Sequence, residues 1–336
     1  MPGCCHVELA KTTTGSGVYA PYVNSTSFDV TAPLDADSVL IRDVGPRDGL
    51  QAIDQNVSLK AKITMANGLI AAGLRRIEAG SFVSPKAVPR MADSRQVLGA
   101  MPKAAVAREA LVVNVRGAHA AIEAGVNVLV GVISASDTFS HRNVHMSKAD
   151  AITELRRIAE VAETAALPVS VDLSAAFGCA FEGPVGVDVV ADAAEQVTST
   201  GAFEIVLADT IGAAAPNDIS AVVAAVRERV GSDVHLGLHL HDTRGLALTN
   251  ATAGLDAGIR RFDASVGGLG GCPFSPGATG NVCTEDLVHL FDALGLSTGI
   301  NLNELIAVAA AIEHELGTKL PSHMLRAGPR FSHLAK

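Results

Sequence analysis

Residues 71–80 read AAGLRRIEAG, and phrases of the same kind return three more times along the chain. They are EAGVNVLVGV at 123–132, STGAFEIVLAD at 199–209 and DAGIRRFDASV at 256–266. In each phrase a glycine stands where a helix would end, because glycine closes the last helical turn in a left-handed conformation without steric cost. A run of strand-forming residues follows within a few positions, which indicates a repeated join from helix to strand. The glycines are Gly73, Gly125, Gly201 and Gly258.

Working outward from these joins gives about eight strand-like runs separated by longer helical runs. Nearly uninterrupted apolar runs are typical of parallel strands whose two faces are both covered. Such a series closes most naturally into a (β/α)8 TIM barrel, and the alternative is an open doubly wound sheet. The runs lie near residues 39–43, 76–79, 107–113, 128–134, 169–174, 204–209, 235–241 and 261–266.

The composition and the pattern together predict three regions. Residues 1–38 are rich in Thr, Ser, Gly and Pro without a clear period, so we expect a flexible N-terminal extension. Residues 39–300 hold the barrel, and residues 301–336 form a C-terminal helical region and tail. Of the 336 residues 48% are hydrophobic and only 4% are aromatic, so we expect a large and aliphatic core.

The charge balance and the cysteine count limit the partners. With 35 acidic and 26 basic residues the net charge is −9, and no basic run offers a face for nucleic acid. No stretch approaches the roughly 18 apolar residues of a membrane helix, and the N-terminus does not resemble a secretory signal. The five cysteines do not form a disulfide scaffold, so we expect free thiols in the cytoplasm.

Polar residues stand where the predicted strands end, which is where barrel enzymes carry their reactive groups. Arg47 and Asp48 follow the first strand, Glu78 follows the second, and Asp209 ends the sixth. The seventh strand carries His239 and His241, whose spacing of two places both side chains on one face.

Two imidazoles on one face of a strand can chelate one divalent ion. The carboxylate of Asp48, from across the barrel, would complete a ligand set of two histidines and one carboxylate. For an isolated pair the alternative is that His239 and His241 are satisfied surface or core histidines. Their position at a strand end favours the ligand interpretation.

A glycine-rich loop, GGLGGCPFSPGATGN at residues 267–281, follows the last strand and contains Cys272. Its glycines and prolines indicate a mobile loop with special backbone angles. An exposed thiol over a polar site can act as a nucleophile or as a proton donor. The alternative is that Cys272 is a small inert filler.

The motifs VGPRDGLQ, IEAGSFVSPKAVP, LADTIG, HLHDT and GLGGCPFSPGATGNVCTED together resemble the 3-hydroxy-3-methylglutaryl-CoA (HMG-CoA) lyase family. This family lies within the wider group of metal-dependent barrel lyases and aldolases. The resemblance runs from about residue 39 to residue 330, and the cysteine loop is its most specific part. It implies a barrel, a divalent cation (Mg²⁺ or Mn²⁺) and a small-molecule acyl-CoA substrate that brings its own CoA. It also implies a homo-oligomer that acts in leucine degradation and ketone-body formation.

The resemblance also implies roles for particular residues. The cation would be held by Asp48, His239, His241 and Asn281. Catalytic roles would fall to Cys272, Arg47, His239, Glu78 and Asp209. Substrate contacts would come from Arg47, Gln51, Asp172 and Glu285, and Asp286 matches a further acidic position.

The implied reaction cleaves HMG-CoA between C2 and C3 into acetyl-CoA and acetoacetate, a retro-Claisen step. A cation chelated by the substrate lowers the pKa of the alcohol, and Arg47 neutralises the charge that develops on an oxygen. Either His239 or Asp48 could accept the hydroxyl proton. Cys272 suits the protonation of the leaving enolate, because a thiol has a pKa nearer neutrality than a hydroxyl.

The chain departs from the family at three positions. Ser170 and Asp172 stand where an Arg and a Tyr are common on the fifth strand, and Asp54 stands where a Lys is frequent. A different 3-hydroxy-3-substituted acyl-CoA, or a related hydroxyacid, is therefore an alternative substrate. A non-haem metal oxygenase is a further alternative, which Asn281 as a fourth ligand and Cys272 over the metal argue against. A noncatalytic paralogue is another, but it would not need a donor thiol and a glycine-rich loop together.

Overall fold

Eight parallel strands form a closed barrel in the computed structural model, which describes residues 28–271 and 280–331. Each strand pairs with the next along the chain, and the last pairs with the first. The predicted (β/α)8 barrel is therefore confirmed, and the open-sheet alternative is wrong. The strands are β1 Leu40–Asp43, β2 Arg76–Ser81, β3 Ala107–Leu111, β4 Val128–Ser134, β5 Val169–Ser174, β6 Glu204–Asp209, β7 His235–Leu240 and β8 Arg261–Ala264.

Helices follow each strand and cover the outside of the barrel. None of those in the described ranges is long and apolar enough to cross a membrane. The helices are α1 Leu50–Ala52, α2 Leu59–Ala71, α3 Ser94–Gly99, α4 Val115–Glu123, α5 Asp137–Val144, α6 Lys148–Thr164, α7 Val187–Thr198, α8 Pro216–Val230, α9 Ala247–Asp256, α10 Thr284–Ala293, α11 Leu302–Leu316 and α12 Met324–Ala327.

The repeated helix-to-strand join has the backbone that its glycines predict. All four glycines have positive φ, with values of 108°, 84°, 80° and 88° at Gly73, Gly125, Gly201 and Gly258. At the first of them a Cβ would also lie 2.5 Å from the carbonyl oxygen of Gly299, so only glycine fits there. These joins bring the chain back from each helix to the start of the next strand.

Residues 28–38 pack against the end of the barrel where the strands begin. The guanidinium of Arg261 donates to the carbonyl oxygens of Val30 and Ala32, and His235 Nε2 lies 2.9 Å from the carbonyl oxygen of Thr31. Residues 1–27 lie outside the described part of the chain. The division into regions 1–38, 39–300 and 301–336 stays a prediction.

Between the sheet and the helices the buried side chains are mostly Ala, Val, Leu and Ile, as the composition predicts. The inside of the barrel differs, because ion pairs cross it from strand to strand. Arg76 on β2 donates to Glu109 on β3 at 2.6 Å and to Glu204 on β6 at 2.7 Å. The expectation of an aliphatic core is therefore wrong for the barrel interior, where charged side chains are buried in partnered sets.

These pairs must be close because burial penalises isolated charges. Burial alone would raise the pKa of Glu204, but Arg76 overcomes that penalty and holds the pKa well below its usual range. Ser170 on β5 adds a third partner, since its hydroxyl donates to the same carboxylate at 2.7 Å. The carboxylate is therefore ionised and fully hydrogen-bonded inside the barrel.

Replacing Arg76 with methionine should destabilise the protein by about 3–5 kcal/mol, because two buried carboxylates lose a shared cation. Urea unfolding measures this change. The matched control is Arg95→Met, which breaks the solvent-exposed pair with Glu123 and should cost less than about 1 kcal/mol. Equal losses for the two variants would contradict the structural role of the interior pairs.

Candidate metal centre

A cavity of about 190 Å³ opens at the end of the barrel where the strands finish. Loops and strand ends from opposite sides of the barrel contribute polar groups to its wall. The wall includes six of the residues singled out from the sequence, namely Arg47, Asp48, Gln51, Asp172, His239 and His241. The structure therefore brings together at one mouth residues that are up to 194 positions apart in the chain.

The loop that carries Arg47 and Asp48 is a single wide helical turn, Gly45–Gly49, directly after β1. Its glycines allow close packing, because a Cβ on Gly49 would lie 2.8 Å from the Cβ of Leu269. The carboxylate of Asp43 anchors the turn by accepting hydrogen bonds from the Gly45 amide and the Thr284 hydroxyl. Burial nevertheless raises the pKa of Asp43 to about 7.

His239 and His241 point into the cavity from the end of β7. Their Nε2 atoms lie 3.1 Å apart, and both side chains are almost fully buried. One carboxylate oxygen of Asp48 and one ring nitrogen from each histidine lie within 4.8 Å of one another. Burial, together with the neighbouring His239, lowers the pKa of His241 to about 4, so this imidazole is neutral at pH 7.

Asn281 supports Asp48 from the far side of the glycine-rich loop. Its Nδ2 donates to Asp48 Oδ2 at 2.9 Å and to the carbonyl oxygen of Leu269 at 3.0 Å. Its Oδ1 is buried and has no hydrogen-bond partner within the described ranges. Burial opposes ionisation of Asp48, but Arg47 and the two histidines outweigh it and lower the pKa of Asp48 to about 2.

These donors fit a divalent cation. Adjacent ligands of an octahedral ion at about 2.1 Å lie roughly 3 Å apart, which the spacing of the two Nε2 atoms matches. An ionised carboxylate, two imidazoles and an unpartnered amide oxygen together suit a divalent cation such as Mg²⁺ or Mn²⁺. The structure brings Asp48, His239 and His241 together as a group that could hold one ion, and Asn281 contacts Asp48.

Arg47 is surrounded by three carboxylates. Its guanidinium lies 2.7 Å from Asp48, 2.6 Å from Glu78 and 3.9 Å from Asp172. Burial raises the pKa of Glu78 to about 7 even though Arg47 opposes the shift. A buried acid that titrates near neutrality beside a fixed cation is an arrangement suited to proton exchange.

Ser170 and Asp172, the two unusual residues on β5, have different surroundings. Asp172 lines the cavity, and its Oδ1 accepts a hydrogen bond from Arg42 at 2.6 Å. Ser170 lies deeper in the barrel against Glu204. Asp172 therefore alters the wall that a substrate would meet, whereas Ser170 belongs to the interior ion pairs.

Four of the predicted site residues in the described part of the chain do not line the cavity. Glu78 and Asn281 lie one contact behind it, against Arg47 and Asp48, and the other two are Asp209 and Glu285. Asp209 accepts hydrogen bonds from the amides of Ala213 and Ala214, so it holds the loop between β6 and α8. Glu285 is fully buried and accepts bonds from the Gly267 amide, and burial raises its pKa to about 8. Both carboxylates support loops at the mouth of the barrel.

Cys272 lies outside the described residues, so its predicted place over the site has no structural account. Gly271, the last described residue before it, lines the cavity. The neighbouring thiol of Cys283 is buried, and burial raises its pKa far above the usual range. Cys283 is therefore unsuited to the role predicted for Cys272.

Sequence reasoning missed Arg42 and Asp263, which lie directly behind the site. Asp263 Oδ2 is 3.1 Å from His239 Nδ1, and Arg42 binds the same carboxylate. The available signal was the presence of two charged residues in each of the short strands LIRD and RFDA, among them Arg42 and Asp263. A charge at an inward strand position predicts a partner inside the barrel, although not which one.

Comparison with known proteins gives a consistent result. The family model described as HMGL-like matches residues 38–312. The chain is 41% identical to a (R)-citramalyl-CoA lyase of Chloroflexus aurantiacus, with 87% of this chain and 96% of that protein covered. It is also 41% identical to a hydroxymethylglutaryl-CoA lyase of Pseudomonas mevalonii, over 84% and 93% of the two chains.

A solved structure matches the fold equally well. The HMG-CoA lyase from Acinetobacter baumannii, in complex with coenzyme A and 3-methylmalate, superposes with a TM-score of 0.85 at 39% identity. The match covers 90% of this chain and 98% of that one. The resemblance that the motifs indicate is therefore confirmed.

Replacing His241 with alanine should lower the affinity for Mn²⁺ at least tenfold, because one ligand nitrogen is lost. Isothermal titration of metal-free protein measures the change. His235→Ala is the matched control, since His235 lies on the same strand but binds the carbonyl oxygen of Thr31 at the other end of the barrel. Unaltered Mn²⁺ affinity in the His241 variant would exclude this residue as a ligand.

Proposed function

Because the chain belongs to the HMGL-like family, we propose that it cleaves HMG-CoA to acetyl-CoA and acetoacetate. The enzyme is a carbon–carbon lyase of the hydroxymethylglutaryl-CoA lyase type. The observation that carries the proposal is the convergence of Asp48, His239 and His241 at the barrel mouth, with Arg47 beside them. This arrangement combines a cation site with a fixed positive charge, which retro-Claisen cleavage requires.

Asp48, His239, His241 and Asn281 would hold the divalent cation. When bound, such a cation polarises the substrate oxygens and lowers the pKa of the substrate's alcohol. The other requirements fall to the protein. The cavity places Arg47 on its wall, so its guanidinium is in position to stabilise negative charge on an oxygen as the carbon–carbon bond breaks.

Asp48 and His239 are the two candidates for the base that removes the hydroxyl proton. His239 has Nδ1 against Asp263 and Nε2 facing His241. Asp48 is ionised at neutral pH and exposes part of its carboxylate to the cavity, but its oxygens accept hydrogen bonds from Arg47 and Asn281. Glu78 lies behind Arg47 and has a raised pKa. A carboxyl group with a raised pKa is suited to hold a proton or to transfer it.

We further propose that the thiol of Cys272 donates the proton that completes acetyl-CoA. The support is its place in the loop between Gly271, which lines the cavity, and Asn281, which contacts Asp48. A thiol is a stronger acid than a hydroxyl, so it can give its proton to the enolate carbon and take up the negative charge as a thiolate.

Cys272→Ala should therefore reduce turnover by about 10²- to 10⁴-fold, the usual contribution of a positioned proton donor. Release of acetyl-CoA measures turnover, and Mn²⁺ titration should show unchanged metal binding. The control is Cys179→Ala, which removes a buried thiol that contacts Ser136. A Cys272 variant that keeps near-normal turnover would remove this residue from the mechanism.

A second candidate substrate is a different 3-hydroxy-3-substituted acyl-CoA, of which citramalyl-CoA is an example. Asp172 favours a substrate that differs from HMG-CoA in its acyl chain, because it puts a carboxylate on the cavity wall where the family commonly has a Tyr. Arg42 holds that carboxylate in place, so the wall carries a fixed ion pair. A wall of this kind changes both the size and the charge of the space for the acyl chain, while the metal ligands stay the same.

A panel of 3-hydroxy-3-substituted acyl-CoAs, monitored for released acetyl-CoA, tests the substrate. We expect metal-dependent and oxygen-independent cleavage, and we expect Asp172→Tyr to shift the ratio of kcat/KM toward HMG-CoA at least tenfold. The conservative variant Asp172→Asn keeps the size of the wall and should shift the ratio less. An unchanged substrate profile in the Tyr variant would contradict the role of this wall.

The choice between Mg²⁺ and Mn²⁺, the homo-oligomer and the cytoplasmic location remain proposals. So does the expectation that neither nucleic acid nor a membrane is a partner. An acyl-CoA substrate is consistent with the names of the relatives.

A further inference from the structure

His239 has a partner at each of its two ring nitrogens. Nε2 faces His241 across 3.1 Å, and Nδ1 lies 3.1 Å from the carboxylate of Asp263 on β8. An ionised carboxylate only accepts hydrogen bonds, so the imidazole must donate through Nδ1. In the neutral ring the lone pair is then on Nε2, the nitrogen that faces the proposed metal centre.

Asp263 is itself held in one orientation. Arg42 on β1 donates two parallel hydrogen bonds to its carboxylate, from Nε to Oδ1 at 2.8 Å and from Nη2 to Oδ2 at 2.5 Å. Both side chains are at least 95% buried. A two-bond contact between guanidinium and carboxylate fixes the plane of the carboxylate as well as its position. The oxygen that meets His239 is therefore not free to rotate.

The same arginine reaches the wall of the cavity. A second bond from its Nη2 goes to Asp172 at 2.6 Å, and its Nη1 lies 3.4 Å from Glu109. One buried cation thus joins the carboxylate behind His239 to the unusual carboxylate that faces the substrate. By contrast, Arg76 forms its hydrogen-bonded ion pairs with two glutamates deeper in the barrel. These three side chains contact none of the proposed metal ligands.

We propose that Asp263, clamped by Arg42, is a positioning residue that keeps the proton of His239 on Nδ1 and aims Nε2 at the metal. The inference rests on the proposed metal-dependent function, because it assigns the device that orients one of the ligands. Carboxylates that accept the second N–H of a ligating histidine act in this way in metal sites generally.

The variant that tests this device is Asp263→Asn. The amide keeps the shape of the side chain but can donate to Nδ1, which would move the imidazole proton to Nε2 and block the ligand. We expect the affinity of metal-free protein for Mn²⁺ to fall by about 10- to 100-fold, measured by isothermal titration.

Glu109→Gln is the matched control. It also removes a charge from a fully buried carboxylate that contacts Arg42, yet Glu109 touches no proposed ligand. We expect it to change Mn²⁺ affinity by no more than about threefold. A fall of similar size in the Mn²⁺ affinity of both variants would show that the loss of a buried charge lowers the affinity, whether or not His239 loses its partner. That result would overturn the proposal.

A second measurement does not depend on a folded variant. Long-range ¹H–¹⁵N spectra of the wild-type protein, labelled at histidine, report which nitrogen of His239 carries the proton. We expect the proton on Nδ1, and a proton on Nε2 would overturn the proposal. If wild-type protein fails to bind Mn²⁺ at all, the proposed function fails. If wild type and the Asp263 variant bind Mn²⁺ equally, only the positioning role fails.

Discussion

The pairing of buried charges inside the barrel is the constraint on which the rest of the structure depends. A parallel barrel leaves an interior that side chains must fill, and here arginines and carboxylates fill much of it. Each charge is stable only if a partner from another strand meets it. Arg42 joins β1 to β5 and β8, and Arg76 joins β2 to β3 and β6. These contacts hold the strands in register, and those of Arg42 continue through Asp263 to His239.

In the proposed function, different residues hold the cation and shape the space for the acyl chain. Asp48, His239, His241 and Arg47 are fixed by strand ends and by a tight turn, and they match the family's motifs. Asp172 lies on the cavity wall near Arg47, at a position where the chain departs from the family, and Arg42 is its closest charged partner. A change at that wall can alter which acyl chain fits while the cation site keeps its ligands. The likeness to relatives named for two different acyl-CoA substrates agrees with such a division.

Much of the fold could be predicted from the sequence, because glycine joins and apolar runs are local signals. Three strands have the predicted bounds, and β8 ends two residues earlier than predicted. The histidine pair and Asp48 could be placed together, since parallel strands end at one mouth. The interior ion pairs could not be predicted, because the register of the strands across the barrel decides which charged side chains meet. For the same reason Glu285, expected to contact the substrate, instead supports the loop at Gly267.

The most direct test of the central claim is the position of a bound cation. Crystals of the protein with Mn²⁺ can be measured at a wavelength where manganese scatters anomalously. The account predicts one strong peak between the Nε2 atoms of His239 and His241 and the carboxylate of Asp48. A peak bounded by other carboxylates, such as those of Asp43 and Glu285, or no peak at all, would contradict it.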